Sequence, residues 1–537
     1  MKNLIQFLTL IVSFSAFGQA SLEVNKLGQL PYIDGINEIW GYADSATNRE
    51  FALVGVNSGF SIVEVTDPTL PVEKHFIPGT VTTWRDVKTF RNYAYVVHDG
   101  VGSVASSDGV LIVDLSTVDS TNISYTQFYP SVTIDTITYN YHDAHNIYID
   151  ENGIMYMFGS NLGSGSCTMF DLNADPNQPV HVGSYNGNYY HDGVARGDTL
   201  WGAAIYAGQF EVIDVNNKQS PSFLAAKSTP NNFCHNIWFS DDNKTVITTD
   251  EKQGAFFTSY DVSDLNNITE LDRIQTSIDD PTVVIPHNTH ILNNFMVNSY
   301  YTSGLQIVDI SHPNILVETA HYDTSPISGG TFDGAWGAYP FLPSGNILVS
   351  DRDEGLFVLG SRYPKACFFS AFVKDSVTGT PIISADITMV GSSIVGKSDL
   401  YGNFEDGQKD SGVFLVVVQK PGYHTDTLHV NMREGVDLHR TVALIPIGFT
   451  LSEWANSGLE VYPNPFNEEL HINLQSQVSA ETNTEIFSLS GERLFSKTIT
   501  GNDPNITLKP NLNPGVYVLK IKSGDVTLAA RRIIVKP

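Results

Sequence analysis

The chain has 537 residues, of which 42% are hydrophobic and only 16% charged, a composition that excludes a disordered chain and a charged coiled coil. The 30 basic and 58 acidic residues give a net charge of −28, which repels phosphate backbones and argues against nucleic acid as a partner. Abundant Gly, Tyr and Phe favour strands and turns over helices, so we predict an all-β protein of about two to four domains.

The first 20 residues have the features of a secretory signal peptide. Lys2 supplies a basic start, residues 4–17 form an apolar run too short to span a bilayer, and Gly18 and Ala20 are small. A buried first strand or helix is the alternative. The three cysteines, Cys167, Cys234 and Cys367, are far apart and form no CxxC pair, so neither a disulfide framework nor a cysteine zinc site is encoded.

The body of the chain contains an internal repeat, an apolar strand that ends in an Asp. Spacings of roughly 40–55 residues match a propeller blade of four antiparallel strands. Two strands precede each copy and a fourth follows it, which predicts a seven-bladed β-propeller over residues 22–360; an array of β-sandwiches is the alternative. The seven copies begin at Gly59, Gly109, Cys167, Gln209, Phe257, Gly304 and Gly355.

Several phrases of the body resemble the LVIVD-repeat proteins known as the choice-of-anchor B family. The resemblance implies an exported propeller whose members differ in how they are retained at the surface, and it brings no established reaction. The phrases that carry it are Trp84-Arg-Asp-Val-Lys88, His145-Asn-Ile147, His235-Asn-Ile237, Phe332-Asp-Gly-Ala-Trp336, Leu348-Val-Ser-Asp351 and the recurring Ile-Val-Asp.

Alignment of the first strands of the repeats produces two polar columns. Because the first strand of a propeller blade lines the central channel, these side chains are predicted to converge at one end of that channel. The first column contains Arg85, His145, His191, His235 and His287, and the second contains Asp86, Asn146, Asp192, Asn236 and Asn288.

Two interpretations of the columns stay open. Imidazoles backed by carboxylates and amides could hold a ligand or a divalent transition metal, with His142, His145, His191, His235, His287 and His290 as candidate metal ligands. Alternatively, each His or Asn satisfies the backbone of the neighbouring blade as a structural plug. The acidic loops Ser240–Asn243 and Asp351–Glu354 could instead hold Ca²⁺, although neither has EF-hand spacing and a solvated turn is the simpler interpretation.

Catalysis ranks behind both interpretations. The sequence contains no Gly-x-Ser-x-Gly elbow, His-Glu-x-x-His or phosphate-binding glycine loop, and no nucleophile stands out near the columns. Surface aromatics offer a different kind of site, because rings stack on sugars or peptides. The candidates are Tyr139, Tyr141, Tyr189, Tyr190, Tyr300 and Tyr301. The alternative is that these tyrosines are ordinary strand residues.

Residues 367–446 alternate short strands with glycine-bearing turns, as in a small β-sandwich. The Asp399-x-x-Gly402-x-Phe404 turn and Pro421-Gly-Tyr423 resemble the carboxypeptidase regulatory-like domain, a prealbumin-type sandwich without catalytic residues. The resemblance implies a spacer or an adhesive unit.

Residues 459–537 form a second small sandwich whose charge differs from that of the body. Residues 451–537 carry 8 basic and 9 acidic residues, so almost all the negative charge lies elsewhere. The phrases Val461-Tyr-Pro-Asn-Pro-Phe466, Glu485-Ile-Phe-Ser-Leu-Ser-Gly491 and Leu512-Asn-Pro-Gly-Val-Tyr517 resemble the C-terminal sorting domain of the type IX secretion system. A plain immunoglobulin-like terminal domain is the alternative.

This resemblance implies Sec-dependent export in a Gram-negative bacterium of the Bacteroidetes kind, recognition by the type IX machinery and its sortase, and attachment to surface lipopolysaccharide or release. Cleavage is expected in the linker Ser452–Ser457. We therefore predict an extracellular or cell-surface binding and adhesion platform with a glycan or protein ligand. The alternatives are a metal-dependent hydrolase or lyase that uses the histidines of the channel, and a structural surface-layer component.

Overall fold

The computed structural model describes residues 20–447, 459–474, 481–489, 491–500, 505–523 and 526–536. The predicted signal peptide, apart from Ala20, and the predicted linker lie outside these residues. The described chain is all-β, as predicted, with three single-turn 3₁₀ helices at Val104–Ser106, Leu115–Thr117 and Ile205–Ala207. Within this part of the chain, no helix has the length and apolar character that a membrane crossing requires.

The chain begins with two strands that pair with sheets formed much later, β1 (Ser21–Leu22) and β2 (Val24–Leu30). Sheet 1 follows with β3 (Ile36–Asp44), β4 (Arg49–Val56), β5 (Gly59–Glu64) and β6 (Val72–Pro78). Sheet 2 contains β7 (Arg85–Phe90), β8 (Tyr93–His98), β9 (Val110–Asp114) and β10 (Ser124–Phe128). A separate hairpin is formed by β11 (Ser131–Ile134) and β12 (Ile137–Asn140).

Three further four-stranded sheets follow in sequence order. Sheet 3 contains β13 (Asn146–Ile149), β14 (Ile154–Phe158), β15 (Cys167–Asp171) and β16 (Val180–Tyr185). Sheet 4 contains β17 (Asp192–Arg196), β18 (Thr199–Ala204), β19 (Gln209–Asp214) and β20 (Ser222–Ser228). Sheet 5 contains β21 (Cys234–Phe239), β22 (Thr245–Asp250), β23 (Phe257–Asp261) and β24 (Thr269–Ile274).

The last two sheets of the body include the N-terminal strands. In sheet 6, β1 adds a fifth strand to the edge of β25 (Thr289–Leu292), β26 (Phe295–Ser299), β27 (Leu305–Asp309) and β28 (Val317–Tyr322). Sheet 7 contains β29 (Ala335–Tyr339), β30 (Ile347–Asp351) and β31 (Gly355–Ser361), and its fourth strand is β2. The expectation that a fourth strand follows every copy of the repeat is therefore wrong for the seventh copy, where β2 pairs with β31 from Val24↔Ser361 to Leu30↔Leu356.

The repeated phrase forms the third strand of all seven sheets. Its apolar run is buried on both faces, as at Val110–Val113, because neighbouring sheets cover each other. One shared core, for example, joins Phe60 and Ile62 of sheet 1 to Val96 and Val113 of sheet 2.

The Asp that ends the phrase caps the following turn. Its Oδ1 accepts a hydrogen bond from the backbone N–H two residues later, an Asx turn that stops the strand. These bonds are 2.8–3.0 Å long and begin at Asp114, Asp171, Asp214, Asp261 and Asp309.

The first strands of the seven sheets contact one another in the cyclic order β3, β7, β13, β17, β21, β25, β29, and β29 contacts β3 again. Two small cavities lie among these strands and share the lining residues Glu38, Asn146, Asp192 and Asn288. We call them together the central channel, and we call the end that is lined by histidines the channel mouth.

The next unit consists of two sheets around one core. The sheet β35-β32-β38 is formed by β32 (Cys367–Asp375), β35 (Asn403–Gln408) and β38 (Asp437–Leu444). The second sheet is formed by β33 (Asp386–Val390), β34 (Val395–Lys397), β36 (Gly412–Gln419) and β37 (Asp426–Met432). This unit packs on sheet 6, where the rings of His312 and Phe368 stack 4.0 Å apart and the N–H of Ala366 donates to Asp309.

The C-terminal unit also has two sheets around its own core. One sheet contains β39 (Leu459–Tyr462), β40 (Leu470–Leu474) and β43 (Asn505–Leu508). The other contains β41 (Glu481–Phe487), β42 (Arg493–Thr500), β44 (Gly515–Ser523) and β45 (Val526–Val535).

Candidate functional site

Four histidines form a continuous arc at the channel mouth. Each lies at the start of a first strand, in sheets 3, 4, 5 and 6, so consecutive rings approach one another across the sheet boundaries. The ring centroids of His145 and His191 are 4.0 Å apart, those of His191 and His235 are 4.3 Å apart, and those of His235 and His287 are 4.6 Å apart. The structure therefore brings together the four histidines of the first predicted column, which we call the histidine arc.

Burial decides the protonation state of the arc. Desolvation lowers the pKa of His191 and of His287 well below the ordinary value, and the neighbouring imidazoles lower both further. Desolvation also lowers the pKa of His235, although the carboxylate of Glu251 opposes this effect. His191, His235 and His287 are therefore neutral at physiological pH and offer ring nitrogens as hydrogen-bond or metal-binding atoms.

Two acidic residues that the sequence analysis missed face the arc. Asp99 Oδ2 lies 2.8 Å from His145 Nδ1. Burial raises the pKa of Asp99, but the hydrogen bond and charge of His145 outweigh this effect and lower it overall. Glu251 lies between two histidines, with Oε2 at 3.6 Å from His235 Nε2 and Oε1 at 3.9 Å from His287 Nε2.

A shared position in the sheets could have revealed this pair. Asp99 directly follows the second strand of sheet 2, and Glu251 directly follows the second strand of sheet 5. The end of the second strand lies beside the start of the first strand in an antiparallel sheet, so an acid at that point faces the first strand of the next sheet. The sequence analysis aligned only the first strands and did not compare these positions.

Arg85 lines the channel mouth but directs its guanidinium elsewhere. Its NH2 group donates to the carbonyl of Thr80 at 2.5 Å, and its Nε donates to the carbonyl of Val56 at 3.3 Å. Burial lowers the pKa of Arg85 to about 10. These bonds tie sheet 2 to sheet 1, so Arg85 is engaged in bracing the wall of the channel.

The second predicted column lies next to the arc: Asn146, Asp192 and Asn288 line both cavities, Asp86 lines the mouth, and Asn236 lines the deeper cavity. Asp86 accepts hydrogen bonds from the N–H of Val87 at 2.6 Å, from Lys88 Nζ at 2.7 Å and from the N–H of Ile147, in the next sheet, at 2.9 Å. These bonds bring a carboxylate, an ammonium group and two backbone donors together inside the channel wall.

Asp192 and Asn236 repeat this bracing between later sheets. Asn236 Nδ2 donates to Asp192 Oδ2 at 2.7 Å, and the N–H of Thr289 donates to Asn236 Oδ1 at 3.1 Å. Burial raises the pKa of Asp192 to about 6. We call Asp86, Asn146, Asp192, Asn236 and Asn288 the deep column.

Two predicted metal ligands lie apart from the arc. His142 precedes β13 and its Nδ1 lies 3.0 Å from Asp143 Oδ1. His290 lines the deeper cavity, packs its ring 4.4 Å from that of Trp238 and shares a 2.7 Å hydrogen bond with the carbonyl of Ala338. Neither side chain lines the channel mouth.

The acidic loops use their carboxylates within their own turns. Asp242 Oδ1 accepts from the hydroxyl of Ser240 at 2.7 Å and from the N–H of Lys244 at 3.0 Å. Asp351 accepts from the N–H groups of Asp353 and Glu354, both at 3.0 Å. These contacts are those of ordinary Asx-type turns.

The expectation that the six tyrosines are surface aromatics is wrong for four of them. Tyr141, Tyr190, Tyr300 and Tyr301 are buried, and the first three pack into cores shared by neighbouring sheets. Tyr301 contacts two residues of the site. Its hydroxyl donates to Glu251 Oε1 at 2.5 Å, and its ring lies 4.6 Å from that of His287.

The exposed aromatics at the mouth are different residues. Trp84, with 43% of its surface exposed, lines the mouth and its ring lies 6.4 Å from that of His145. Phe332 is 51% exposed and packs edge-on against Tyr301 at 5.4 Å. Tyr206 is 79% exposed and lies 5.2 Å from Tyr189.

A glycine connects Tyr189 to the arc. Gly159 has a φ of +57°, and a Cβ at that position would lie 2.7 Å from both the Tyr189 hydroxyl and the Cβ of His145. The close approach therefore needs glycine, and it places the pair Tyr189 and Tyr206 beside the histidine arc.

Comparisons with known families agree with two of the sequence interpretations. A family described as the secretion system C-terminal sorting domain matches residues 460–536. An LVIVD repeat matches residues 301–324, which include the third and fourth strands of sheet 6. No curated protein matches the chain. The sorting domain implies export by the type IX machinery and a secreted or surface location in bacteria of the Bacteroidetes kind.

Proposed function

We propose that the body, residues 22–360, is a seven-bladed β-propeller of the choice-of-anchor B kind that binds an extracellular ligand at the channel mouth. The cyclic contacts of the seven first strands support this architecture. The pairing of β2 with β31 supports it too, because a ring of sheets closes when one sheet combines strands from both ends of the body.

The ligand class that fits this mouth best is a carbohydrate. The single observation that carries this proposal is a set of exposed rings near the histidine arc: Trp84 lines the mouth, Phe332 packs on Tyr301, and Tyr206 packs on Tyr189. Sugars present apolar faces, which stack on such rings, and hydroxyls, which bond to polar floors. The cavity itself holds only about 20 Å³, so a sugar would lie across the mouth and not inside the channel.

The two C-terminal units would serve delivery and presentation. Residues 1–20 would direct the chain across the inner membrane, and residues 459–537 would engage the type IX machinery and its sortase before attachment to lipopolysaccharide or release. Residues 367–446 would act as a carboxypeptidase regulatory-like spacer. The firm packing of this unit on sheet 6, through His312 and Phe368, would hold the propeller at a fixed orientation relative to the spacer.

A glycan array followed by titration calorimetry with the full-length chain tests the binding proposal. We expect Trp84→Ala to weaken glycan binding about fivefold or more, since stacking on one ring contributes on the order of 1 kcal/mol or more. Tyr401→Ala is the matched control, because Tyr401 is an exposed ring, 72% accessible, on the other unit. Binding that survives Trp84→Ala unchanged, or an array without any bound glycan, would contradict the proposal.

A second candidate function, a metal-dependent hydrolase or lyase, is favoured by one observation, the position of Glu251 between His235 and His287. Two imidazoles and a carboxylate are a donor set found at hydrolytic zinc centres. This candidate predicts turnover that requires metal and is lost on His235→Ala in a folded chain.

A further inference from the structure

We propose that the chain binds one divalent transition metal ion, of the zinc class, through His235 Nε2, His287 Nε2 and the carboxylate of Glu251. The inference goes beyond the proposed sugar-binding role and stands or falls independently of it. Within the described part of the chain, these three residues are the group of His, Cys, Asp and Glu side chains whose donor atoms lie close enough to share an ion, all within 4.8 Å of one another.

The separations between these donor atoms suit a metal better than they suit hydrogen bonds. Glu251 lies 3.6 Å from His235 Nε2 and 3.9 Å from His287 Nε2, both longer than an N–H···O bond of about 2.7–3.2 Å. Zinc bonds of about 2.0–2.1 Å in a tetrahedron place neighbouring donor atoms about 3.3 Å apart. A small inward movement of the side chains would complete that geometry.

The tautomer of His287 points in the same direction. Its Nδ1 makes a short hydrogen bond with the carbonyl oxygen of Trp336, and a carbonyl only accepts, so Nδ1 carries the proton. In the neutral ring, Nε2 then presents its lone pair to the Glu251 carboxylate. The lone pair of Nε2 and the negative carboxylate repel each other, and a cation bound between them would remove this repulsion. In metal-bound histidines, the ring nitrogen that does not bind the metal usually donates to a carbonyl or carboxylate oxygen, as Nδ1 of His287 does here.

Tyr301 positions the carboxylate. Its hydroxyl donates to Glu251 Oε1 at 2.5 Å, and its backbone adopts a φ of +36°, in the left-handed region that a bulky side chain rarely occupies. Such strain persists where the surroundings enforce it, and it clusters at functional sites. The strained turn therefore holds the hydroxyl on the carboxylate and fixes the orientation of Glu251.

The donor atoms and the volume of the cavity determine which kind of ion the site would bind. The cavity of about 20 Å³ at the mouth, which His235 and His287 line, has room for one exchangeable ligand of the size of a water molecule. Two imidazole nitrogens favour zinc or a neighbouring transition metal over Ca²⁺ and Mg²⁺, which take oxygen donors. Three protein ligands with an open fourth position match the pattern of catalytic and ligand-binding zinc centres.

The test uses the purified full-length chain, stripped with a chelator and then titrated with Zn²⁺ against a chromophoric competitor. We expect one zinc per chain, and with Co²⁺ the intense visible absorption of a tetrahedral centre. Glu251→Gln should weaken zinc binding about 100-fold. Tyr301→Phe should weaken it about tenfold, because the hydrogen bond to Glu251 is lost while all three metal ligands remain. Glu318→Gln, which alters a carboxylate paired with the single histidine His321 at 2.7 Å, is the matched control and should leave the affinity unchanged.

Failure to retain zinc, or equal effects of Glu251→Gln and Glu318→Gln, would overturn the inference. If Glu251→Gln does not fold by circular dichroism, the wild-type Co²⁺ spectrum decides, and a weak octahedral spectrum would overturn it. A chain that retains zinc but binds no glycan would support the metal site and contradict the proposed glycan binding. A chain that binds glycan but takes up no zinc would support glycan binding and contradict the metal site.

Discussion

The histidine arc and the deep column are one residue apart along the same strands, yet they differ in what their side chains contact. Asp86 of the deep column is buried and accepts three hydrogen bonds, two from backbone N–H groups and one from Lys88. The arc histidines lie against one another with their rings tilted by 44–51°, and two of them direct Nε2 towards Glu251 at distances too long for hydrogen bonds. Because side chains alternate along a strand, one layer can brace the wall while the next remains open to a ligand.

This comparison also bears on the two interpretations left open by the sequence. The plug and the ligand site need not compete, since each describes a different column. The predictions below separate the two layers, beginning with the substitution expected to have the largest effect.

The largest effect is expected for Asp86→Ala in the deep column. The substitution leaves the buried ammonium of Lys88 and two backbone N–H groups without their acceptor, which should lower the free energy of unfolding by about 3–5 kcal/mol. Chemical denaturation followed by tryptophan fluorescence measures this loss. Asp241→Ala, which alters an exposed carboxylate, is the control and should change stability by less than about 0.5 kcal/mol. Equal effects of the two substitutions would contradict the bracing role.

Zinc should stabilise the body through the arc. A ligand that binds only the folded chain at 100 times its Kd adds about 2.7 kcal/mol to the free energy of unfolding. We expect this gain in the wild-type chain and its loss in Glu251→Gln, measured by the same denaturation with and without Zn²⁺. A gain of the same size in Glu251→Gln would show that the zinc binds outside the arc.

The pH dependence of stability should report on Asp192. Its folded pKa of about 6 exceeds the unfolded value of about 3.9, so the folded state retains a proton between these values that the unfolded state releases. Its contribution is therefore present below about pH 4 and is lost as the pH rises through 6, by about 3 kcal/mol in total. Lys88 favours the charged form of Asp192, whereas Asp86 and desolvation oppose it.

Asp192→Asn removes this titration. The stability difference between the wild-type chain and Asp192→Asn should therefore shrink by about 2 kcal/mol between pH 4 and pH 7. Groups remote from Asp192 titrate equally in both proteins and cancel in the difference, while the neighbouring Glu38 loses the part of its raised pKa that the Asp192 charge causes. A difference that does not change with pH would show that Asp192 has the same pKa in the folded and unfolded chain.

The smallest effect is expected outside both layers. Arg362 is exposed and pairs with Glu23 at 2.9 Å and Glu434 at 2.6 Å, between the body and the next unit. Exposed ion pairs contribute little to the free energy of unfolding in water, and salt screens what they contribute. Arg362→Ala should therefore leave the unfolding midpoint unchanged. A clear decrease in the midpoint at physiological ionic strength would show that the two units depend on this pair.

Much of the fold followed from local patterns in the sequence. The repeated apolar phrase located the third strand of every sheet, because a strand covered on both faces reads as a continuous apolar run. The pairing of β2 with β31 was not predictable in this way. It joins Val24 to Ser361 across the whole body, and β2 lacks the repeated phrase that marked the other strands.

Only those residues of the candidate site that recur at the same position of the repeat could be predicted from the sequence. The four arc histidines occupy one column of the repeat, so their convergence followed from alignment. His290 was grouped with them because it is close in sequence, but three residues along a strand place it on the opposite face, against Trp238. Glu251 directly follows the second strand of sheet 5, outside the column that was aligned, and its role depends on contacts across two sheets.

Anomalous X-ray scattering at the zinc absorption edge, from a crystal of the full-length chain grown with zinc, tests the central claim most directly. The account predicts one strong peak at the channel mouth, about 2.0–2.2 Å from His235 Nε2, His287 Nε2 and a carboxylate oxygen of Glu251, and no peak in the deep column. An empty mouth, or zinc found in the deep column beside Asp86 and Asp192, would contradict the division between a bracing layer and a binding layer.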